Sequence, residues 1–206
     1  IPIFDYPQAV KNRSVITANK VEVGGFLGWT LNDPFFDPLN YGAYGTYHFD
    51  EAHGVNMLVN GWKQGPSRYS KQLQTDTTIT GRRPNLHLAP QPEIMGMLSY
   101  EMTAFYGKLS LAKDVVMNLS LSALGGLGML KVGDEMVPVV GLGFAQKFYT
   151  SPRFALRLEF RLLTFNGPDP LGTSDPIDVN AVPDTSEFGK EIFFRTLFTF
   201  GVCYLL

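Results

Sequence analysis

The end of the chain, EIFFRTLFTFGVCYLL (191–206), has the alternation of an extended strand. From Ile192 onward every second residue is apolar, apart from Thr196. The positions between them include Arg195, Thr199, Gly201 and Cys203. Successive side chains of a strand point to opposite faces, so one face of this strand is apolar and aromatic. Such a strand invites aggregation unless its edges are paired, and a barrel that closes in a membrane pairs them all.

Alternation of this kind recurs along the chain. Eight segments carry it, at residues 20–31, 40–50, 54–63, 93–106, 114–131, 136–149, 153–166 and 191–205. The seventh is the clearest, with Phe154, Leu156, Leu158, Phe160 and Leu162 opposite Arg153, Arg157, Glu159 and Arg161. The pattern predicts an all-β fold: an eight-stranded antiparallel up-and-down transmembrane β-barrel over residues 20–206, preceded by a periplasmic N-terminal lead-in over residues 1–19.

The sizes of the side chains decide which face meets lipid. The polar faces of the first, fifth, sixth and eighth segments are rich in Gly, Ser, Thr, Ala and Asn, whereas a water-facing surface would carry more Lys and Glu. The apolar faces carry residues too bulky to fill an eight-stranded interior along every strand. We therefore favour apolar side chains outside over a lipocalin-like soluble barrel. Aromatic residues near the strand ends are expected to form two interfacial girdles, at Trp29, Tyr41, Tyr47, Phe49, Tyr100, Phe148, Phe194 and Tyr204.

Other classes of protein fit the chain less well. The formal net charge of -2 gives no basic footprint for nucleic acid. The longest uncharged stretch, residues 115–130, is shorter than the ~20 residues of a spanning helix, and it alternates between apolar and polar residues.

The connections between the predicted strands fall into two kinds. Short turns are expected at 50–54, 108–114 and 149–153 beside the two termini, and long external loops at 32–39, 64–92 and 166–190.

Two resemblances accompany this pattern. The final residues, TFGVCYLL, resemble the signal that bacterial outer-membrane barrels present to their assembly machinery, with Thr199, Gly201, Tyr204 and Leu206 at its defining positions. The order of VGGFLGWTLNDPFF, YGAYGTYHFDEAHGVN, SYEMTAFYGKLSL and SPRFALRLEFR resembles the myxobacterial and Bdellovibrio-type outer-membrane barrels, which are distantly similar to the OmpA-like and OmpX-like barrels. The resemblances imply a bacterial outer-membrane location, membrane lipid as surroundings and the barrel-assembly machinery as a partner during biogenesis.

Charged residues on the predicted inner face are the main candidates for a site. They are Glu22, Glu101, Lys147, Arg157, Glu159, Arg161 and Arg195. Buried charges must be paired, so we expect a lumenal salt-bridge network that fills the barrel and fixes the strand register. The alternative is a narrow channel, or a barrel that binds a small molecule or lipid through its charged lumen, although eight strands leave an interior just wide enough for side chains.

Nothing in the sequence indicates catalysis. His48, His53 and His87 are isolated and lack metal-ligand spacing, so no metal or other cofactor is expected. A pair of His48 with Asp50 would lack a nucleophile, and Cys203 is expected to be a small packing residue in the lumen. We predict that the protein is not an enzyme.

Small residues on the predicted lipid-facing side suggest contact with a partner. They are Gly25, Ala43, Gly45 and Gly96. Small side chains let another membrane protein approach closely, which predicts a homo-oligomer whose copies meet through the first two strands, with a closed ring as one arrangement. The alternative is that glycines are placed there for barrel curvature. The function predicted overall is structural or organisational, with self-association and long external loops.

Overall fold

The computed structural model describes residues 14–33, 35–63, 65–75, 90–112, 115–173 and 188–206. Residues 1–13 of the predicted lead-in, His87 and the middle of the two longest predicted loops lie outside these ranges. The elements are β1 (Val21–Thr30), β2 (Leu39–His48), β3 (His53–Trp62), α1 (Arg68–Thr75), β4 (Pro92–Ala112), β5 (Val115–Val132), β6 (Glu135–Tyr149), β7 (Phe154–Thr173) and β8 (Phe188–Leu205).

The eight strands form one closed antiparallel sheet in which each strand pairs with its neighbours in sequence. Closure is made by β1 and β8, whose pairing runs from Glu22 opposite Leu205 to Thr30 opposite Leu197. The prediction of an eight-stranded antiparallel up-and-down barrel is confirmed. We call the end of the barrel that carries Val21 and Leu205 the terminal end, and the opposite end the loop end.

The polarity of the barrel is reversed relative to a water-soluble protein. Leu127 and Leu142 are 68% and 62% exposed on the outside, whereas Lys147 is 1% exposed on the inside. All eight aromatic residues expected in the girdles lie on strand faces or in a turn and none of them is buried. A soluble protein seldom buries a lysine completely and rarely exposes a continuous band of large apolar side chains.

Two hairpins are longer than the sequence pattern predicted. β4 continues to Ala112, so most of the expected turn at 108–114 is strand. A register shift between Thr103 and Phe105 inserts an extra residue there, which breaks the alternation by which strands are recognised.

The β7–β8 hairpin is the second exception. The loop expected at 166–190 is replaced by strand up to Thr173 and again from Phe188. The prolines that mimic a loop signal begin at Pro168, beyond the last pairing of β7 with β6 at Phe165. One side of β7 is therefore a sheet edge there, where proline is tolerated. The loop expected at 64–92 also contains the short helix α1.

The interior of the barrel has two parts. Polar and charged side chains occupy the terminal end and the middle, while the loop end is packed with large apolar side chains. The apolar part comprises Trp62, Met95, Leu130, Val132, Val137, Val139, Leu163, Phe165 and Leu197. Phe36 from the β1–β2 connection is buried, and it makes an isolated bridge to Pro66. The loop end of the interior is thus filled by apolar side chains, and two of the connections at this end meet at Phe36 and Pro66.

Candidate functional site: the lumenal charge network

Four strands supply six of the predicted lumenal charges. Glu22 lies on β1, Glu101 on β4 and Lys147 on β6. β7 supplies Arg157, Glu159 and Arg161, two residues apart, so all three side chains point inward and follow each other along the barrel. All six are at most 5% exposed. Alternation along each strand places them inside, and the closure of the barrel brings them together.

Lys147 sits between two carboxylates. Its Nζ donates to Glu22 Oε2 at 2.8 Å and lies 2.9 Å from Glu101 Oε1. Glu22 is separated from Lys147 by 125 residues of sequence. The ammonium group therefore links the first strand, the fourth and the sixth across the lumen.

Arg157 continues the network toward the middle of the barrel. Its Nη1 donates to Glu101 Oε2 at 3.2 Å, and its Nη2 donates to Glu159 Oε2 at 2.7 Å. The guanidinium carbon lies 4.5 Å from the centre of the Tyr44 ring, within the range of a cation–π contact. The rigid fork of arginine suits this bridging position because it directs several N–H groups at fixed angles.

Arg161 ends the chain of ion pairs. Its Nε donates to Glu159 Oε1 at 2.7 Å and its Nη1 donates to Ser99 Oγ at 3.1 Å. The same Nη1 lies 2.8 Å from Met97 Sδ, where the apolar part of the interior begins. Three carboxylates and three cations are thus linked in one buried cluster whose formal charges balance.

This arrangement decides the environment of the outer face. The charges are enclosed and paired, and the exposed band is apolar, which is stable only where the surroundings are hydrocarbon. The chain is a transmembrane β-barrel. In the described residues no helix is long and apolar enough to cross a membrane.

Arg195, the seventh predicted residue, is not part of the network. It lies near the loop end, pairs with Asp33 of the β1–β2 connection, and its guanidinium lies 5.6 Å from the centre of the Phe165 ring. Asp33 also accepts from the backbone N–H groups of Phe35 and Phe36. Apart from the network, the transmembrane barrel therefore has a buried ion pair near the loop end, which fixes this loop over the lumen.

The sequence did not identify several partners of the network. His48 Nε2 lies 3.5 Å from Glu22 Oε2, and Thr46 Oγ1 lies 3.5 Å from Glu101 Oε2. Asn56 Nδ2 donates to Thr46 Oγ1 at 2.8 Å. The only signal available was their position on the inner face of a strand, since none of them is a carboxylate, a lysine or an arginine.

The side chains of His48 and Asp50, the pair considered for catalysis, lie in different environments. His48 points into the lumen, whereas Asp50 lies in the β2–β3 turn and accepts from the backbone N–H groups of Ala52 and His53 at 2.7 Å each. These two hydrogen bonds lower the pKa of Asp50. Within the described ranges no three His, Cys, Asp or Glu side chains are grouped so that they could hold a metal ion.

The residues of the assembly signal divide between the two faces of β8. Thr199 and Gly201 are buried inside, whereas Leu206 is exposed and Tyr204 partly so. A Cβ atom at Gly201 would lie 2.5 Å from the backbone oxygen of Gly25 on β1. Glycine at this position is therefore required by the packing of the closing strand pair.

Among known proteins, similarity to this chain was found in solved structures and not in sequence comparisons. No family model and no curated protein matches the chain. Among solved structures, the N-terminal β-barrel domain of Pseudomonas aeruginosa OprF is 11% identical with a TM-score of 0.48, covering 92% of this chain and 98% of that one. A structure described as de novo design of transmembrane β-barrels is 9% identical with a TM-score of 0.39, covering 92% and 97%. Similarities this weak carry no argument, and the fold is established by the strand pairing instead. The resemblance to the myxobacterial and Bdellovibrio-type barrels stays a prediction.

Proposed function

We propose that this protein is a structural barrel of a bacterial outer membrane that associates with copies of itself and carries long loops at one end. The observation that supports this role is the interior itself, which is filled by a charge-balanced network and an apolar core. A lumen filled in this way holds strands together and makes a rigid wall. The proposal includes no catalytic step.

The outer membrane is proposed because closed barrels are used there and because of the C-terminal strand. In the closing strand β8, the outward positions end with Val202, Tyr204 and Leu206 beside the terminal end. Of these, Tyr204 and Leu206 occupy two of the positions that define the resemblance to an assembly signal. Fractionation of inner and outer membranes after expression of the chain with a signal peptide tests the location.

The alternative of a narrow channel is disfavoured by the space available. Near Lys147 the described interior has a cavity with room for roughly one water molecule. Toward the loop end, Met95, Leu130 and Leu163 are completely buried and pack across the lumen. Recordings in planar bilayers are expected to show no steady conductance. Regular single-channel openings by the wild-type protein would support the channel alternative instead.

Self-association is supported by the way the small outward residues line up. Gly25 pairs with Ala43, Ala43 with Val59 and Val59 with Gly96, so three of the four predicted small residues lie in one row across four adjacent strands, together with Val59. Gly45, the fourth, lies outside this row, opposite Met57. With strands about 4.8 Å apart, the row is roughly 15 Å wide. We call it the small-residue row. Apart from Val59, the side chains of the row are no larger than a methyl group.

The packing of the barrel does not explain these glycines. A Cβ atom at Gly96 would have no neighbour within 4 Å, and one at Gly25 would come no closer than 3.7 Å. By contrast, a Cβ atom at the inward Gly143 would lie 2.5 Å from the Phe160 oxygen. Gly25 and Gly96 also lack a positive φ, and neither lies at a register shift, since the nearest one, in the β4–β5 pairing, falls between Pro92 and Ile94. This favours an external reason for small side chains over the alternative of barrel curvature.

The test is to replace the glycines of the small-residue row by a larger residue and to measure the mass of the protein extracted in detergent. Gly25→Leu and Gly96→Leu should convert an oligomer extracted in mild detergent into a monomer, read by light scattering and by crosslinking in native membranes. Val140→Phe, an enlargement on the lipid-facing side of β6, should leave the mass unchanged. A wild-type protein that is monomeric in both assays would contradict self-association but not the structural role.

The loops are the third part of the proposal. The connection after β3 contains α1, and the β7–β8 hairpin extends past the last pairing with β6. Both lie at the loop end, opposite the terminal end. We propose that they face the cell exterior, which protease treatment of intact cells tests by cleavage within the loop segments and not within the turns of the terminal end.

A further inference from the structure

Residues 14–20, which we call the N-terminal strap, cross the terminal end of the barrel before β1 begins. The Val15 side chain is 2% exposed and belongs to the same buried cluster as Tyr106 and Tyr149. The small cavity behind the strap is lined by Val15, Thr17, His48, Lys147 and other polar side chains. The strap therefore covers the charged part of the lumen.

One carboxylate in the β2–β3 turn accepts three hydrogen bonds from the strap. Glu51 Oε1 accepts from the backbone N–H groups of Thr17 and Ala18 at 3.1 Å each, and Glu51 Oε2 accepts from the Thr17 hydroxyl at 3.1 Å. The Tyr106 hydroxyl accepts from the Val15 N–H at 3.3 Å. The hydrogen bonds that fix Val15–Ala18 to the barrel are thus made to side chains.

The attachment changes at Asn19. Asn19 N–H donates to the His48 oxygen at 2.9 Å and His48 N–H donates to the Lys20 oxygen at 3.0 Å, which continues the backbone ladder of β1 and β2. Asn19 itself has a φ of 57°, a left-handed conformation that asparagine tolerates. The strap therefore has a defined point at which backbone pairing ends and side-chain attachment begins.

We propose that the N-terminal strap is a latch that pivots at Asn19 and uncovers the charged lumen while the barrel stays closed. Release removes the hydrogen bonds to Glu51 and Tyr106 and exposes the buried side chains of Val15 and Thr17. The β1–β2 and β1–β8 pairings begin at Val21 and Glu22 and are untouched by it. Local openings of this kind require less free energy than unfolding of the whole sheet.

The chain contains its own reporter for this motion. Cys203 is the single cysteine, is 3% exposed and belongs to the same buried cluster as Val15. It lies in register with Ala155, which is in register with Tyr149 at the cavity. A small, charged methanethiosulfonate reagent added to folded barrel in detergent should reach Cys203 when the latch opens. The folded state is checked in each sample by the difference in gel mobility between unboiled and boiled protein.

The matched pair of variants is Glu51→Ala and Asp50→Asn, neighbours in one turn. Glu51→Ala should raise the labelling rate on the order of tenfold with the folded gel band unchanged, because it removes three acceptor contacts to the strap. Asp50→Asn should label like the wild type, since Asp50 contacts the turn and not the strap.

Two outcomes overturn the latch. They are a wild-type rate equal to that of the boiled protein, and a folded Glu51→Ala that labels no faster than the wild type. If Glu51→Ala does not fold, Thr17→Val takes its place, because it keeps Glu51 and removes one hydroxyl bond. Folded Thr17→Val must then label faster than the wild type, and an equal rate overturns the proposal.

Discussion

Replacing Lys147 by methionine tests whether the lumenal network stabilises the barrel. The side chain is fully buried and its ammonium group lies 2.8 Å and 2.9 Å from two carboxylates. Methionine keeps the approximate volume but leaves Glu22 and Glu101 with one fewer cation. Removing one partner of a buried ion pair costs about 3–5 kcal/mol. Arg157 still lies 3.5 Å and 3.2 Å from the same carboxylates, so we expect the lower end of that range.

The matched control is Lys131→Met at the rim. Lys131 Nζ lies 2.6 Å from Glu93 Oε2, a shorter distance than in the lumen, but both side chains are 39% exposed. Exposed pairs contribute about 0–1 kcal/mol, so this variant should be nearly neutral. The contrast separates burial from distance as the source of stabilisation.

The balance of charges in the network allows a second test with a double variant. In Lys147→Met combined with Glu101→Gln, two cations would face two carboxylates in the network. The double variant should therefore be more stable than Lys147→Met alone. The assay is urea unfolding in lipid vesicles, followed by gel mobility and by the fluorescence of Trp29 and Trp62. If Lys147→Met costs no more than Lys131→Met, or if the double variant recovers nothing, the network does not stabilise the fold in the way argued.

Three further predictions concern the wall and the turns. Leu142→Arg, on the lipid-facing side of β6, should cost about 2–4 kcal/mol in vesicle unfolding, whereas Leu142→Met should be close to neutral. Gly201→Ala should reduce the yield of folded, heat-modifiable barrel, because its Cβ would lie 2.5 Å from the Gly25 oxygen; Gly125→Ala, with its nearest contact at 3.4 Å, should fold normally. Because the pKa of Asp50 is lowered by amide hydrogen bonds, its stabilisation is present above its ordinary pKa and is lost as the pH falls through the lowered value. The difference in thermal stability between wild type and Asp50→Asn should therefore be present at neutral pH and disappear in strong acid.

The alternation of side chains was sufficient to predict the eight strands, because every strand has one face in hydrocarbon and one in the lumen. It failed where the pairing changes. The extra residue between Thr103 and Phe105 shifts the pattern of β4 by one, and the prolines after Phe165 lie on an unpaired edge that looks like a loop in sequence. Where both faces of a strand are apolar, as near Met95 and Val137, alternation carries no information.

The candidate site was accessible from the sequence only in part. Alternation predicts that Glu22 and Lys147 point inward, but it does not predict that they meet. Their 2.8 Å contact depends on how far each strand is shifted against the next around the whole barrel. The separate position of Arg195 depends on Asp33, which lies in a connection with no periodic pattern.

The pairing of Glu22 with Lys147 has a consequence for biogenesis. The carboxylate is on the first strand and the ammonium group is on the sixth, so the two have no contact in a sheet that is still open. A partly inserted chain would present bare charges to the acyl chains, whereas the finished cylinder presents none. Entry into the bilayer and joining of the first strand to the last should therefore occur as a single concerted event, without a stable half-inserted species.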